Sequence, residues 1–170
     1  GATISAVNAA AEVSKLLQIS CGAAYSDDSE VVEFDATPRL KVLEEVLRET
    51  SRKVIVFALF RSSIATMAAY LTKHGIPNEE IHGDVKPSKR GDIIRRFQTE
   101  KEPRILLLQP QATAHGITLT AADYVVFFGP LMSVEQYTQA IARSDRKGQT
   151  SDKVTVVHIQ SSPIEQKMYK

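Results

Sequence analysis

The sequence predicts an α/β domain in three layers, with helices on both faces of a mainly parallel central sheet. Two observations carry this expectation. The run Val54 to Leu59 is apolar throughout, as a strand covered on both faces should be. Runs of this kind then alternate along the chain with amphipathic stretches of about ten residues, which implies right-handed crossovers between parallel strands.

Taken in order, apolar positions 4, 7, 13, 16 and 17 describe an amphipathic helix over residues 2–20, ending near Cys21 and Gly22. Asp27, Asp28 and Ser29 make an exposed loop before a short strand, Val31 to Phe34. Thr37 and Pro38 read as the cap and first position of a helix whose buried stripe is Leu40, Leu43, Val46 and Leu47. After the strand Val54 to Leu59, a helix from about Ser63 to Lys73 stops at Gly75, and Ile76 with Pro77 leads to a brief strand near Ile81. A helix from Lys89 to Phe97, a strand from Arg104 to Leu108, a long loop and a strand from Tyr124 to Phe128 follow. Ser133 and Gln136 form a capping box just after Pro130, opening a helix that Gly148 stops. The last strand is Val154 to Ile159. Ser162 and Glu165 make another capping box around Pro163, so the chain ends inside a helix begun near 163, as a piece of a longer protein would. No repeat, low-complexity tract or long linker divides residues 1–170, which predicts one domain.

Composition narrows the function. Lys plus Arg number 21 against 20 Asp plus Glu, a net charge of +1, so any nucleic-acid contact must be local rather than a global electrostatic attraction. The one cysteine, Cys21, cannot form an internal disulfide, which fits a reducing compartment. Four histidines and that cysteine show no metal-ligand spacing, so no structural metal is expected. No apolar run approaches the roughly 20 residues that a bilayer requires, and no basic-then-apolar leader opens the chain. A soluble, intracellular protein is expected. The absence of a G-x-S-x-G elbow leaves a Ser/His/Asp hydrolase unsupported.

Loops at the carboxyl ends of parallel strands gather on one edge, where ligands bind. Arg61 and Ser62 follow one strand, Gly83 to Arg90 another, Gln109 to Gly116 a third, and Gly129 leads toward the late helix. On that helix Gln139, Arg143 and Arg146 stand at i, i+4 and i+7, so they share one face. Two guanidiniums there suit an anion that gains charge in a transition state. The same residues equally suit a solvated basic helix end, which the helix dipole favours. By themselves Lys86 to Arg96 read more readily as an ordinary solvated helix face and His115 as an ordinary surface or core histidine, while Gly83 suits a turn as well as a contact.

Gln139-Ala-Ile-Ala-Arg143-Ser-Asp-Arg146-Lys-Gly148-Gln149 resembles motif VI of the SWI/SNF-type DNA translocases of helicase superfamily two, Q-A-x-x-R-x-x-R-x-G-Q, at every fixed position. Lys53 to Ser62 resembles motif IV, and Gly83-Asp-Val-Lys86-Pro-Ser88-Lys89-Arg90 with Ile94 and Phe97 resembles the segment D-G-S-x-S-x-x-x-R with its helix. Ile105 to Phe128, with His115-Gly116-Ile117-Thr118-Leu119-Thr120, resembles motif V and its continuation. Lys15-Leu-Leu-Gln18-Ile19 with Gly22 resembles the helix leading into the second motor lobe, so the likeness runs from roughly residue 10 to the end. Its His-Gly pair is more like bacterial and phage members. Two departures stand out. Gln109-Pro-Gln111-Ala-Thr113-Ala-His115 replaces a Ser-Thr-Lys-Ala-Gly-Gly run, and Asp145 and Lys147 replace a histidine and an isoleucine beside Arg146.

The resemblance implies a RecA-like three-layer αβα lobe that works with a first RecA-like lobe on ATP with Mg2+. It implies arginine fingers at Arg143 and Arg146, nucleotide contacts at Gln139 and Gly116, and contacts to double-stranded DNA at Arg61, Ser62, Gly83, Lys86, Lys89, Arg90, Gln111, Thr113 and His115. The metal would be held mainly by the other lobe. None of the eight glycines belongs to a G-x-x-x-x-G-K-[ST] phosphate cradle, and no D-E-x-H occurs. The isolated chain is therefore expected to be monomeric and inactive. It would be cytoplasmic in a bacterial or phage-infected cell and nuclear in a eukaryotic one. A strand-separating helicase of the DEAD-box type, with motif VI usually H-R-x-G-R-x-G-R, and a non-enzymatic nucleic-acid- or protein-binding module are the alternatives.

Overall fold

In the computed structural model the described residues are 23–25, 31–33, 36–113, 119–129 and 154–160. Two short strands, β1 (Ala23–Tyr25) and β2 (Val31–Glu33), pair antiparallel. Helix α1 (Thr37–Arg48) follows, then β3 (Val54–Phe57), α2 (Arg61–Lys73), β4 (Asn78–Ile81), α3 (Pro87–Thr99), β5 (Ile105–Leu108), a 3-10 helix over Pro110–Thr113, β6 (Tyr124–Phe127) and β7 (Thr155–His158). The sheet order is β4-β5-β3-β6-β7 and every neighbouring pair is parallel, with Val54 opposite both Ile105 and Tyr124. This is the RecA-like α/β fold expected from the sequence.

The period of two in β3 explains the layers. Val54 and Val56 face Leu40, Leu43 and Leu47 of α1 and Ile64, Met67 and Leu71 of α2. Ile55 and Phe57 face the opposite side, against Ile93 and Phe97 of α3 with Leu119 and Ala122. All four residues are fully buried, as are the four of β5, which is why both strands are apolar at every position. Phe57, Phe127 and His158 occupy matching positions on β3, β6 and β7, and their rings stack in a row, 5.7 Å and 5.3 Å between centroids.

Element ends differ from expectation where hydrogen bonding, not hydropathy, decides them. Helix α2 begins at Arg61 rather than near Ser63, and α3 begins at Pro87 rather than Lys89. Thr37 lies inside α1, whose cap is Ala36, without a side-chain cap bond. Strand β1, absent from the sequence reading, pairs antiparallel with β2. Gly75 ends α2 with φ +73°, the left-handed conformation that glycine adopts without a Cβ penalty. The helices expected over 2–20, after Ser133 and near 163 lie outside the described residues.

Candidate functional site

Direction of travel along the sheet reverses between β3 and β6. From β3 the chain proceeds to β4 on one side, and from β6 to β7 on the other. Such a switch opens a crevice at the carboxyl ends of the strands. Ladder bonds hold that edge firm one residue past each strand: Ala58 N donates to Leu108 O at 3.0 Å, Gln109 N to Ile81 O at 3.2 Å, and Phe128 N to Phe57 O at 3.0 Å.

Side chains then tie the loops to one another. Gln109 Nε2 donates to Leu59 O at 3.3 Å, joining the loops after β5 and β3. The Arg61 guanidinium pairs with the Asp84 carboxylate, joining the loops after β3 and β4. Ser62 is half-buried in the first turn of α2. From α1, Arg39 Nη1 donates to Ile159 O at 3.1 Å and to Phe128 O, while its guanidinium lies 5.5 Å from the Phe128 ring centroid. Arg39 is only 3% exposed, so this cation pins the ends of β6 and β7 just where the chain departs toward residues 130–148.

The turn after β4 is built from its own groups. Val85 N donates to His82 O at 3.0 Å, and Asp84 N donates to His82 Nδ1 at 3.3 Å. Arg90 Nη2 reaches back to His82 O at 3.3 Å and Val85 O at 3.2 Å, and its buried Nε meets no acceptor among the described residues. Arg90 is thus a staple for the turn. Gly83 is exposed, its φ is not left-handed, and a Cβ there would meet no described atom within 4 Å, so neither sterics nor backbone conformation among these residues requires glycine.

Helix α3 opens on Lys86 and Pro87 with no side-chain cap and no acid in its first turn. Lys86 and Lys89 are exposed, with no ion pair among the described residues. Lys89 also borders a groove of about 580 Å³ between α2 and the edge strand β4. Further along α3 the cations are neutralised. Arg96 holds Asp92 at 3.0 Å and Glu79 at 3.2 Å, and Arg95 holds Asp92 at 3.1 Å and Glu100 at 3.3 Å. Hydrogen bonds from Arg96 and then Arg95 keep the Asp92 carboxyl below its usual range. Positive potential therefore concentrates at the start of α3, where the helix dipole adds to it.

Among the sequence-predicted residues, the structure brings Arg61, Ser62, Gly83, Lys86, Lys89, Arg90 and Gln111 to the carboxyl side. Gln111 is exposed on the 3-10 helix that Thr113 closes. His115, Gly116, Gln139, Arg143 and Arg146 lie outside the described residues. Sequence reading placed Gln109 and Asp84 at this edge without giving either a role, and it missed Arg39. Only Asp84 had a visible signal, an acid between Gly83 and Lys86 in an otherwise basic segment. No group of three potential metal ligands occurs among the described residues, and no helix there is long and apolar enough to cross a membrane.

A family model, the helicase conserved C-terminal domain, matches residues 38–148, a span that contains Gln139, Arg143 and Arg146. The ATP-dependent RNA helicase DBP2 of Scheffersomyces stipitis is 31% identical over 126 residues, 74% of this chain and 23% of that protein. The DNA excision repair protein ERCC-6-like of Danio rerio is 31% identical over 146 residues, 85% of this chain and 10% of that protein. The chromatin-remodeling ATPase INO80 of Neurospora crassa is 32% identical over 135 residues, 78% and 7% respectively. The chain spans only 7% to 23% of these relatives' lengths. They are eukaryotic and lend the bacterial and phage likeness no support. The crystal structure of the C-terminal part of the Fun30 ATPase domain has the same fold, with a TM-score of 0.71 at 23% identity over 81% of this chain and 47% of that one.

Proposed function

From the premise that the chain belongs to the helicase conserved C-terminal domain family, we propose that it is the second RecA-like motor lobe of a SWI/SNF-type, ATP-dependent double-stranded DNA translocase. One observation carries the reading: Gln139, Arg143, Arg146 and Gly148 stand in the motif VI spacing within the matched span, with Gln149 directly after it, and all follow the strand that borders the crevice. ATP with Mg2+, bound against a first lobe, would supply the phosphoryl chemistry. Arg143 and Arg146 would meet the charge that develops there, Gln139 would sense the nucleotide, and Gly116 would let its turn approach closely. The residues of this chain fit a contribution from across a cleft, since its sequence carries two guanidiniums at motif VI spacing and no G-x-x-x-x-G-K-[ST] segment.

The opening of α3 supports a nucleic-acid role. Lys86 and Lys89 have no ion pair among the described residues and sit beside uncapped backbone donors, which suits backbone phosphates and predicts little sequence preference. Arg61, Ser62, Gln111, Thr113 and His115 would extend the track, with Gly83 exposed in a turn that Arg90 braces. The remodeller likeness favours a nuclear setting.

A second reading, a lobe that separates nucleic-acid strands, has one observation in its favour, the 31% identity to an RNA helicase. Two assays on the whole protein divide the readings. The translocase reading expects ATPase stimulated by duplex DNA, no strand displacement, and a loss on the order of 10³-fold in kcat on Arg143→Ala or Arg146→Ala. Strand displacement, or turnover indifferent to either arginine, would overturn it.

A further inference from the structure

We infer that Asp84 sets the affinity of the nucleic-acid edge by occupying on Arg61 the place of a backbone phosphate. The inference rests on the nucleic-acid reading above and adds a residue that weakens the grip. A guanidinium fork matches carboxylate and phosphate in the same way. Of the cations described at this edge, Arg61 is the fork at the head of α2, and it already faces a carboxylate. Lys86 and Lys89 do not.

Asp84 is also held where it is for reasons independent of Arg61. Its backbone N–H donates to His82 Nδ1, which makes Nδ1 the acceptor and leaves the ring proton on Nε2, 3.4 Å from Glu80 Oε1. Val85 N and Arg90 Nη2 both bind His82 O, and Arg90 Nη2 also binds Val85 O. The turn thus presents the carboxylate on a braced backbone. Both partners of the pair are more than half exposed, 54% for Arg61 and 62% for Asp84, and an exposed pair of this kind is weak enough for a phosphate to displace. Two consequences follow. The incoming phosphate meets a neighbouring negative charge, and the cation that Arg61 releases from the duplex is offset by the cation that the freed Asp84 carboxylate attracts, so this contact adds little to the salt dependence of binding.

The test measures binding of the whole protein to a mixed-sequence duplex by fluorescence anisotropy across a salt series. Asp84→Asn should tighten binding about two- to fivefold at low salt and steepen the log–log salt slope by about one. Asp84→Ser should act likewise. Arg61→Ala alone should weaken binding less than Lys86→Ala does, because Asp84 already shields that cation, and it should erase the gain when combined with Asp84→Asn. A gain that survives Arg61→Ala, or no gain at all, overturns the inference while sensitivity to Lys86→Ala and Lys89→Ala keeps the nucleic-acid reading. An absence of duplex binding overturns both.

Discussion

Lys53 and Arg104 form a crossed clamp at the amino edge of the sheet. Each stands one residue before a strand, Lys53 before β3 and Arg104 before β5, and each grips the segment that feeds the other's strand. Lys53 Nζ donates to Pro103 O at 3.1 Å and to the carbonyls of Phe97 and Glu100, at the end of α3. Arg104 donates to Leu47 O at 2.9 Å, Thr50 O at 3.1 Å and Arg52 O at 3.0 Å, at the end of α1. Helix ends leave carbonyls without partners and attract cations, so one pair of residues satisfies both helix ends and aligns two neighbouring parallel strands.

The clamp predicts stability effects without functional ones. Lys53→Met and Arg104→Met should each destabilise by about 1.5–3 kcal/mol, the range for hydrogen bonds to charged groups. Urea denaturation measures this. Duplex affinity at the opposite edge should be unchanged when binding is measured well below the melting transition.

His158 predicts a pH dependence. Burial holds its imidazole below the usual histidine range, beside Phe127 in the ring row. The folded state therefore disfavours the charged form, and the unfolded state binds more protons wherever the two titration curves separate. Stability should be full above about pH 6.5 and decline as pH falls from there through the folded-state value. Comparing denaturation midpoints at about pH 7.5 and 5.5 should show the loss, and His158→Gln should reduce it. Asp92 and Glu44, whose carboxyls are held low by hydrogen-bonded partners, act in a more acidic window.

Lys86 and Lys89 predict a salt signature. Each lysine→alanine change should weaken duplex binding alike across sequences and lower the salt slope by about 0.9, the value for one phosphate contact. A slope equal to that of the unaltered protein would remove these lysines from the track.

Much of the architecture was legible in the sequence. Val54 to Phe57 and Ile105 to Leu108 had the unbroken apolar character expected of strands covered on both faces, and Leu40, Leu43 and Leu47 marked one face of α1. Gly75 announced the end of α2, because few other residues tolerate its φ. Boundaries were less legible: neither Arg61 nor Pro87 differs in hydropathy from a loop residue, and hydrogen bonding made them helical. The pairing of β1 with β2 was hidden because strands of three residues carry too little alternation to read.

For the site, residue types and spacing suggested a chemistry for the basic segment 86–90 and for Arg143 and Arg146, which lie outside the described residues, since a fork at helical spacing or a lysine at a helix start has a meaning that is local to the chain. What each charge faces was decided by folding alone. Arg61 and Lys86 look alike as cations in the sequence, yet one is matched by Asp84 and the other has no ion pair among the described residues. Arg39 and Arg90 look like surface cations, yet one is sunk against Phe128 and the other staples a turn. Sequence determined which groups exist and which elements carry them. Only the tertiary structure decided which charges remain available, because electrostatic partners are chosen by distance in space, and β3 and β4 meet at the edge only after β5 has been inserted between them.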